Sequence, residues 1–243
     1  MSDDRYVLIT GASGGLGRAL VRRLEQEGRW LALAGREEGR LREAHPDSDH
    51  PLVVGDTSTA DGAASLLQQC RQHCGQPPDA LAHCVDSIMV APLHRTTPEQ
   101  SRGCISANLD SDFHTLSAWI NALRATKRPG AAVFVSTAAA RIGTPNHEAV
   151  ATAKAGLEGL AGRRRDLRQC RNPHQRGRPR PDGHPGSSRS HQQPARPRGR
   201  RETVSAARHW RSLATGRPDG QAIVTGQIWS MDGGFSAIWP LVR

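Results

Sequence analysis

The sequence predicts an α/β protein, a doubly wound parallel sheet in one domain, and three observations carry that. Between residues 5 and 137, short apolar runs alternate with stretches of helical spacing, the strand–helix repeat that builds an open sheet through right-handed crossovers. The apolar runs are nearly continuous, as in strands buried on both faces. A glycine-rich loop at residues 10–17 stands between the first apolar run and the first helical one.

In chain order, YVLIT at 6–10, WLALA at 30–34, PLVV at 51–54, ALAHCV at 80–85 and AAVFV at 131–135 read as five strands. Residues 16–27, 59–73 and 106–125 have the apolar spacing of the helices between them. A last strand is expected at 222–225, AIVT. The chain thus divides into a well-patterned part, 1–161, an anomalous stretch, 162–220, and a C-terminal strand and turn, 221–243, all within a single 243-residue domain.

The formal net charge of +10 is concentrated. Between Gly162 and Gly220 there are 16 Arg and 4 acids, a net of +12, and the remainder carries a net of −2. Outside that stretch the composition is that of an ordinary soluble protein. The N-terminus is acidic where a signal peptide would be basic. No apolar run approaches the roughly 20 residues of a membrane span. Five scattered cysteines do not form a disulfide framework, and together these features point to the cytoplasm. Cys70, His73, Cys74, His83 and Cys84 invite comparison with a zinc site, but their placement on a helix and a strand favours buried thiols, so no metal is expected.

In the loop Thr10-Gly-Ala-Ser-Gly-Gly-Leu-Gly17, Gly11 permits a tight exit from the strand. Gly15 lets backbone approach a pyrophosphate, and Gly17 lets the helix pack close to the sheet. The helix N-terminus then offers unpaired N–H groups to phosphate. This is the Rossmann-type arrangement for a dinucleotide.

Thr10, Gly11, Gly15 and Gly17 together resemble the TGxxxGxG pattern of the short-chain dehydrogenase/reductase family. The resemblance extends to Asp56-Thr57 after the third strand, Asn108, Ser136-Thr137 after the fifth strand, Lys154, and VTGQIWSMDGG at 224–234. It implies that Thr10, Gly11, Ser13, Gly15, Leu16, Gly17, Arg36, Asp56 and Thr57 hold the cofactor. Arg36 ends the second strand where an acid would bind a free ribose 2′-hydroxyl, so NADP is favoured over NAD. Asn108 and Lys154 are implied to serve the ribose and the proton relay, and Thr137 or Ser136 to touch the substrate. A homo-oligomer is implied by the resemblance alone.

The family's proton donor is a Tyr four residues before the Lys. That position is Val150 here, and the only tyrosine in the chain is Tyr6. The family's NNAG motif is replaced by His83-Cys-Val-Asp86. His147, one turn ahead of Val150, is a candidate substitute acid. On the alternative reading, Asn146 caps the helix, Glu148 complements its dipole and His147 is merely solvated.

From Arg168 to Thr203 the only apolar side chains other than prolines are Cys170 and Ala195, too few to offset the entropy of ordering such a stretch. Yet a reading frame begun one nucleotide later, with synonymous codons chosen freely, turns residues 171–185 into GIRINAVAPGLTDT, close to the family's usual strand and turn. The same offset gives VAAATYANAG from 162–171 and KRFPLRGIGEASRLAALMA from 202–220. A frameshift between about Gly162 and Gly220 is therefore expected. A basic nucleic-acid arm is the remote alternative, and with Trp210 as the stretch's one Phe, Tyr or Trp it lacks stacking residues, so no nucleic-acid partner is expected.

The sequence thus predicts an oxidoreductase that moves hydride between a nicotinamide and a small carbonyl or alcohol, independent of any membrane. Lys154, Thr137, Ser136, Asn108 and His147 are its candidate catalytic residues. The alternative is a catalytically silent dinucleotide-binding protein of the same fold.

Overall fold

The computed structural model of the protein describes residues 5–161. Five strands, β1 (Tyr6–Thr10), β2 (Trp30–Gly35), β3 (Leu52–Val54), β4 (Ala80–His83) and β5 (Ala131–Phe134), form one sheet in the order β3-β2-β1-β4-β5. Every neighbouring pair is parallel. The connections wind outward from β1 in both directions, so β1 and β4 flank the point where the winding reverses. In such sheets the crevice beyond the strand C-termini at that point is the ligand site.

Alternation along β1 builds a core on each face. Tyr6 and Leu8 join Ala32, Ala34, Val53, Leu81, Trp119 and Leu123 on one side. Val7 and Ile9 join Leu20, Val21, Leu24, Leu31, Leu33 and Leu41 on the other. Successive strand side chains point to opposite faces, so a strand covered on both sides must be apolar throughout. Each such aliphatic side chain stabilises the fold by about 1.5–3 kcal/mol.

Six α-helices cover the sheet: α1 (Gly15–Gln26), α2 (Glu38–Ala44), α3 (Ala60–Cys74), α4 (Pro98–Ile105), α5 (Ser111–Thr126) and α6 (Glu148–Ala161). The spacing foresaw α1, α3 and α5. It passed over α2, a short helix with one buried residue, Leu41, and α4. The start of α4 is nonetheless written in the chain: Thr97 and Gln100 make a reciprocal capping box with Pro98 at the first helical position.

Two boundaries differ from expectation. The helix expected over 106–125 begins with a wide π turn, Ser106–Asp110, between α4 and α5. β4 stops at His83, two residues early, because Cys84 N–H still bonds Thr10 O but the chain then turns out of the sheet. The strand expected at 222–225, and the whole stretch 162–220 with the frameshift expected there, lie outside the described residues.

Candidate active site

The turn after β1 is shaped by what its glycines exclude. Gly11 has φ +67°, and a Cβ there would come within 2.7 Å of Cys84 O. A Cβ on Gly17 would overlap the carbonyl of Gly11. A Cβ on Gly15 would meet no atom of the described residues within 4 Å, so among them Gly15 faces open space above the turn. The loop is held from both sides, since Ala12 N–H donates to Ala34 O at 3.0 Å and His45 Nε2 lies 3.0 Å from Ala12 O.

The start of α1 differs electrically from the other helix starts. Gly14 at its N-cap provides no side-chain acceptor, and no acid lies in its first turn. The five other α-helices carry Glu38, Asp61, Glu99, Asp112 and Glu148 there. The amides of the first turn of α1 have neither an intrahelical partner nor a capping side chain. With open space in front of Gly15, this is a cradle that fits a diphosphate, because the helix dipole favours an anion at that end.

Thr10 is buried, with its hydroxyl 2.9 Å from His83 Nδ1, whereas Ser13 is half-buried in the loop and Gly15 and Leu16 are exposed at the start of α1. Arg36 follows β2 in an exposed position. Asp56, after β3, is held below the usual carboxylate range by Ser58, whose amide donates to it at 3.0 Å, with the Arg36 cation assisting. Thr57 beside it is buried. Loop, Arg36, Asp56 and Thr57 thus lie at the C-terminal edge of the sheet.

Asn108 lies in the π turn, fully buried. Its side-chain amide donates to Ser87 O and Cys104 O, and its carbonyl accepts from Ser87 N–H. It therefore fastens the chain leaving β4 to the α4–α5 junction. Ser136 and Thr137 follow β5 and face different neighbours. Ser136 donates to Glu158 Oε1 at 3.0 Å, and Glu158 also pairs with Arg141. Thr137 accepts from Ala139 N–H at 3.3 Å and donates to no described residue. Among the described residues the Thr137 hydroxyl proton has no acceptor, and that of Ser136 has Glu158.

Lys154 is the unusual member of α6. Val150, Ala153, Lys154 and Leu157 form the buried face of the helix, and Lys154 is 2% exposed. Its Nζ lies 3.8 Å from Asp86 Oδ1 and 3.8 Å from Asp112 Oδ2. His147 stays apart from this group. It precedes the helix, half-buried, with Nδ1 2.8 Å from Pro145 O. Asn146, the expected cap, takes a left-handed turn, φ 63°, and lies one residue outside the cap position, which His147 holds because the helix begins at Glu148.

Three residues of this cluster were not among the sequence candidates: His83, Asp86 and Asp112. Asp112 is fully buried on α5, and burial raises its carboxyl to about 7, the Lys154 cation opposing the rise. His83 is pushed down to about 3 by burial and the nearby Lys154 cation. The Ser111 hydroxyl donates to Ala107 O at 2.6 Å, so at 3.2 Å it accepts from His83 Nε2–H. Nδ1 is then the acceptor, and Thr10 donates to it. Among the described residues no three His, Cys, Asp or Glu side chains are grouped to hold a metal ion, and no helix is long and apolar enough to cross a membrane.

A parallel sheet reversing at β1/β4, with a glycine turn and an uncapped helix start at the reversal and a buried lysine beside it, defines a Rossmann-type α/β protein. The chain belongs to the short chain dehydrogenase family, whose profile matches residues 5–169. It is 28% identical over 165 residues to a human (3R)-3-hydroxyacyl-CoA dehydrogenase, a match covering 63% of each protein. Among solved structures it resembles levodione reductase, 26% identical with a TM-score of 0.58 over 65% of this chain and 64% of the other. It also resembles an NAD+-bound xylitol dehydrogenase, 22% identical with a TM-score of 0.63 over 69% of this chain and 66% of that one. The match spans under two thirds of the human relative's length.

Proposed function

We infer that this protein is an NADP-dependent oxidoreductase acting on a small carbonyl or alcohol. The observation that carries the reading is the start of α1, uncapped and acid-free behind the open face of Gly15. Gly11, Ser13, Gly15, Leu16 and Gly17 hold the diphosphate, with Thr10 anchoring the turn to His83. Asp56 and Thr57 border the adenine end. Arg36, exposed beside Asp56, supplies the positive charge that a ribose 2′-phosphate needs. NAD is the less favoured cofactor.

Once bound, the nicotinamide supplies or accepts hydride. The chain's own residues do the rest. Thr137 donates a hydrogen bond from its hydroxyl to the substrate oxygen, while Ser136, tied to Glu158, positions α6. Asn108 fixes the segment after β4, and Lys154 presents its charge at the same edge of the sheet. His147 lies outside the buried cluster and is the weakest of the candidates. The name of the human relative makes a 3-oxoacyl thioester the first substrate class to try.

A second reading, a silent dinucleotide-binding protein, is favoured by one observation. Val150 fills the position of the family's proton donor and is buried. The two readings separate in one experiment. Full-chain protein is titrated with NADPH and NADH by fluorescence, then mixed with acetoacetyl-CoA and a panel of small ketones. NADPH binding with turnover supports the enzyme, NADPH binding without turnover supports the silent binder, and no binding rejects both.

The same reading covers the remaining expectations. One domain spans 1–243, the chain is cytoplasmic, and it assembles as a homo-oligomer, which sedimentation tests. The family match ends at residue 169, near the onset of the arginine-rich text, which supports a shifted frame between about 162 and 220. Resequencing the gene tests this, and one intact frame encoding that text rejects it.

A further inference from the structure

The buried group around Lys154 contains more ionisable chemistry than a ribose clamp requires. Two carboxyls flank one ammonium at equal distance, 3.8 Å each. Among the described residues neither oxygen of Asp112 has a hydrogen-bond partner, and neither has Lys154 Nζ. Buried polar atoms are nearly always satisfied, so three such atoms side by side need a reason. A hydrogen bond closes at about 2.9 Å, so a swing of about 1 Å would seat Nζ against either carboxyl. The two carboxyls also differ in access. The Asp112 side chain is 0% exposed and that of Asp86 is 41% exposed at the mouth of the sheet beyond β4.

On the reading that the protein is a carbonyl oxidoreductase, we propose that Asp112, Lys154 and Asp86 form a proton chain from the floor of the site to its mouth. Asp86 is its terminal acid–base group and supplies the proton that Val150 cannot. In the reducing direction, hydride adds to the carbonyl carbon and the electron pair of the C=O π bond moves to oxygen. Asp86 takes a proton as an N–H bond of Lys154 breaks and passes it to that oxygen, and Lys154 is recharged by the O–H of neutral Asp112. Substrate gains one hydride and one proton, Asp112 ends ionised, and one proton from solvent through Asp86 resets the chain. The alcohol-oxidising direction runs the same transfers backwards.

The surroundings suit this. Burial favours the neutral form of Asp112 and places its titration near neutrality, where a store of protons has to work. From β4, His83 lies 3.3 Å from Asp112 Oδ1 and stays neutral, so it does not compete for the charge. Lys154 reaches in from α6. The remaining titratable neighbours are the thiols of Cys84, raised to about 12 by burial, and Cys104, also raised by burial. Neither gives up a proton in the working range.

Two readouts on full-chain protein test the chain. The first, made without cofactor, follows the C=O stretch of the neutral Asp112 carboxyl by infrared spectroscopy against pH, assigned by its loss in Asp112→Asn. It is expected to vanish through a midpoint near neutrality and to shift down by at least half a pH unit in Asp86→Asn, because the Asp86 charge holds it up. A midpoint that Asp86→Asn leaves unmoved overturns the chain. The second is kcat for acetoacetyl-CoA reduction with NADPH. Asp86→Asn is expected to lose at least 100-fold with NADPH affinity within twofold, Asp86→Glu to recover part of it, and Asp112→Asn to move the pH profile. Asp86→Asn retaining kcat within threefold overturns the proposal, as does NADPH binding by the wild type without turnover of any carbonyl. Failure of the wild type to bind NADPH rejects the oxidoreductase reading, and with it the delivery of a proton to substrate. The infrared titration still shows whether Asp86 and Asp112 share protons.

Discussion

His83 Nε2 lies 3.3 Å from Asp112 Oδ1, both side chains fully buried, and burial drives their protonation in opposite senses. Asp112 moves from 3.8 up to about 7, so the folded protein holds its proton longer than the unfolded chain. Stability from that term is present below pH 3.8 and is lost as pH rises through about 7. His83 moves from 6.5 down to about 3, so its contribution is present above pH 6.5 and is lost as pH falls through about 3. Between these limits the two slopes oppose each other. Wild-type stability is expected to vary little with pH on account of this pair. Asp112→Asn should leave a stability that rises with pH, and His83→Asn one that falls, each by up to about 1.4 kcal/mol per pH unit. Urea denaturation from pH 4 to 6.5 checks this, and two slopes of the same sign would contradict it.

The glycines of the loop should separate by effect. Gly17→Ala forces a Cβ into the carbonyl of Gly11 and is expected to destabilise by about 1–3 kcal/mol. Gly15→Ala meets no atom of the described residues, so thermal stability should change little while NADPH affinity falls at least tenfold. Thermal melts beside fluorescence titrations read both. Unchanged NADPH affinity in Gly15→Ala would move the diphosphate off this turn.

Arg36 should decide between the two nicotinamide dinucleotides. Arg36→Leu is expected to weaken NADPH binding at least tenfold and NADH binding less than threefold, since only the former carries the extra phosphate. Equal losses would make Arg36 a general electrostatic contributor.

Thr137→Val and Ser136→Ala test which hydroxyl works. Thr137→Val removes the hydroxyl that donates to no described residue and is expected to lower kcat at least tenfold with stability nearly intact. Ser136→Ala breaks the bond to Glu158 and is expected to cost about 1 kcal/mol with a smaller kinetic effect. Steady-state kinetics and melts on both variants decide it.

All five strands and three helices could be read from the chain because each buries a continuous run or a clear stripe. The glycine turn was equally readable, since its spacing maps onto backbone requirements. The acid–base cluster was not. His83, Asp86 and Lys154 are 71 residues apart at the extremes, and only the parallel register and the packing of α6 bring them to one edge. Asp112 did leave a trace: Asn108, Asp112, Thr115, Trp119 and Leu123 fall on one stripe, and all are buried. A carboxylate on such a stripe is a signal that an apolar-spacing count passes over.

The pinning of Ala12 between Ala34 and His45 has a thermodynamic corollary. A turn fastened on both flanks has lost its freedom during folding, so a ligand arriving at it does not have to freeze it again. The amides are aimed before the encounter. The Gly15, Leu16 and Gly17 amide hydrogens, unbonded among the described residues, should therefore exchange fast in the free protein, and dinucleotide should slow them through contact rather than through a rearrangement of the main chain.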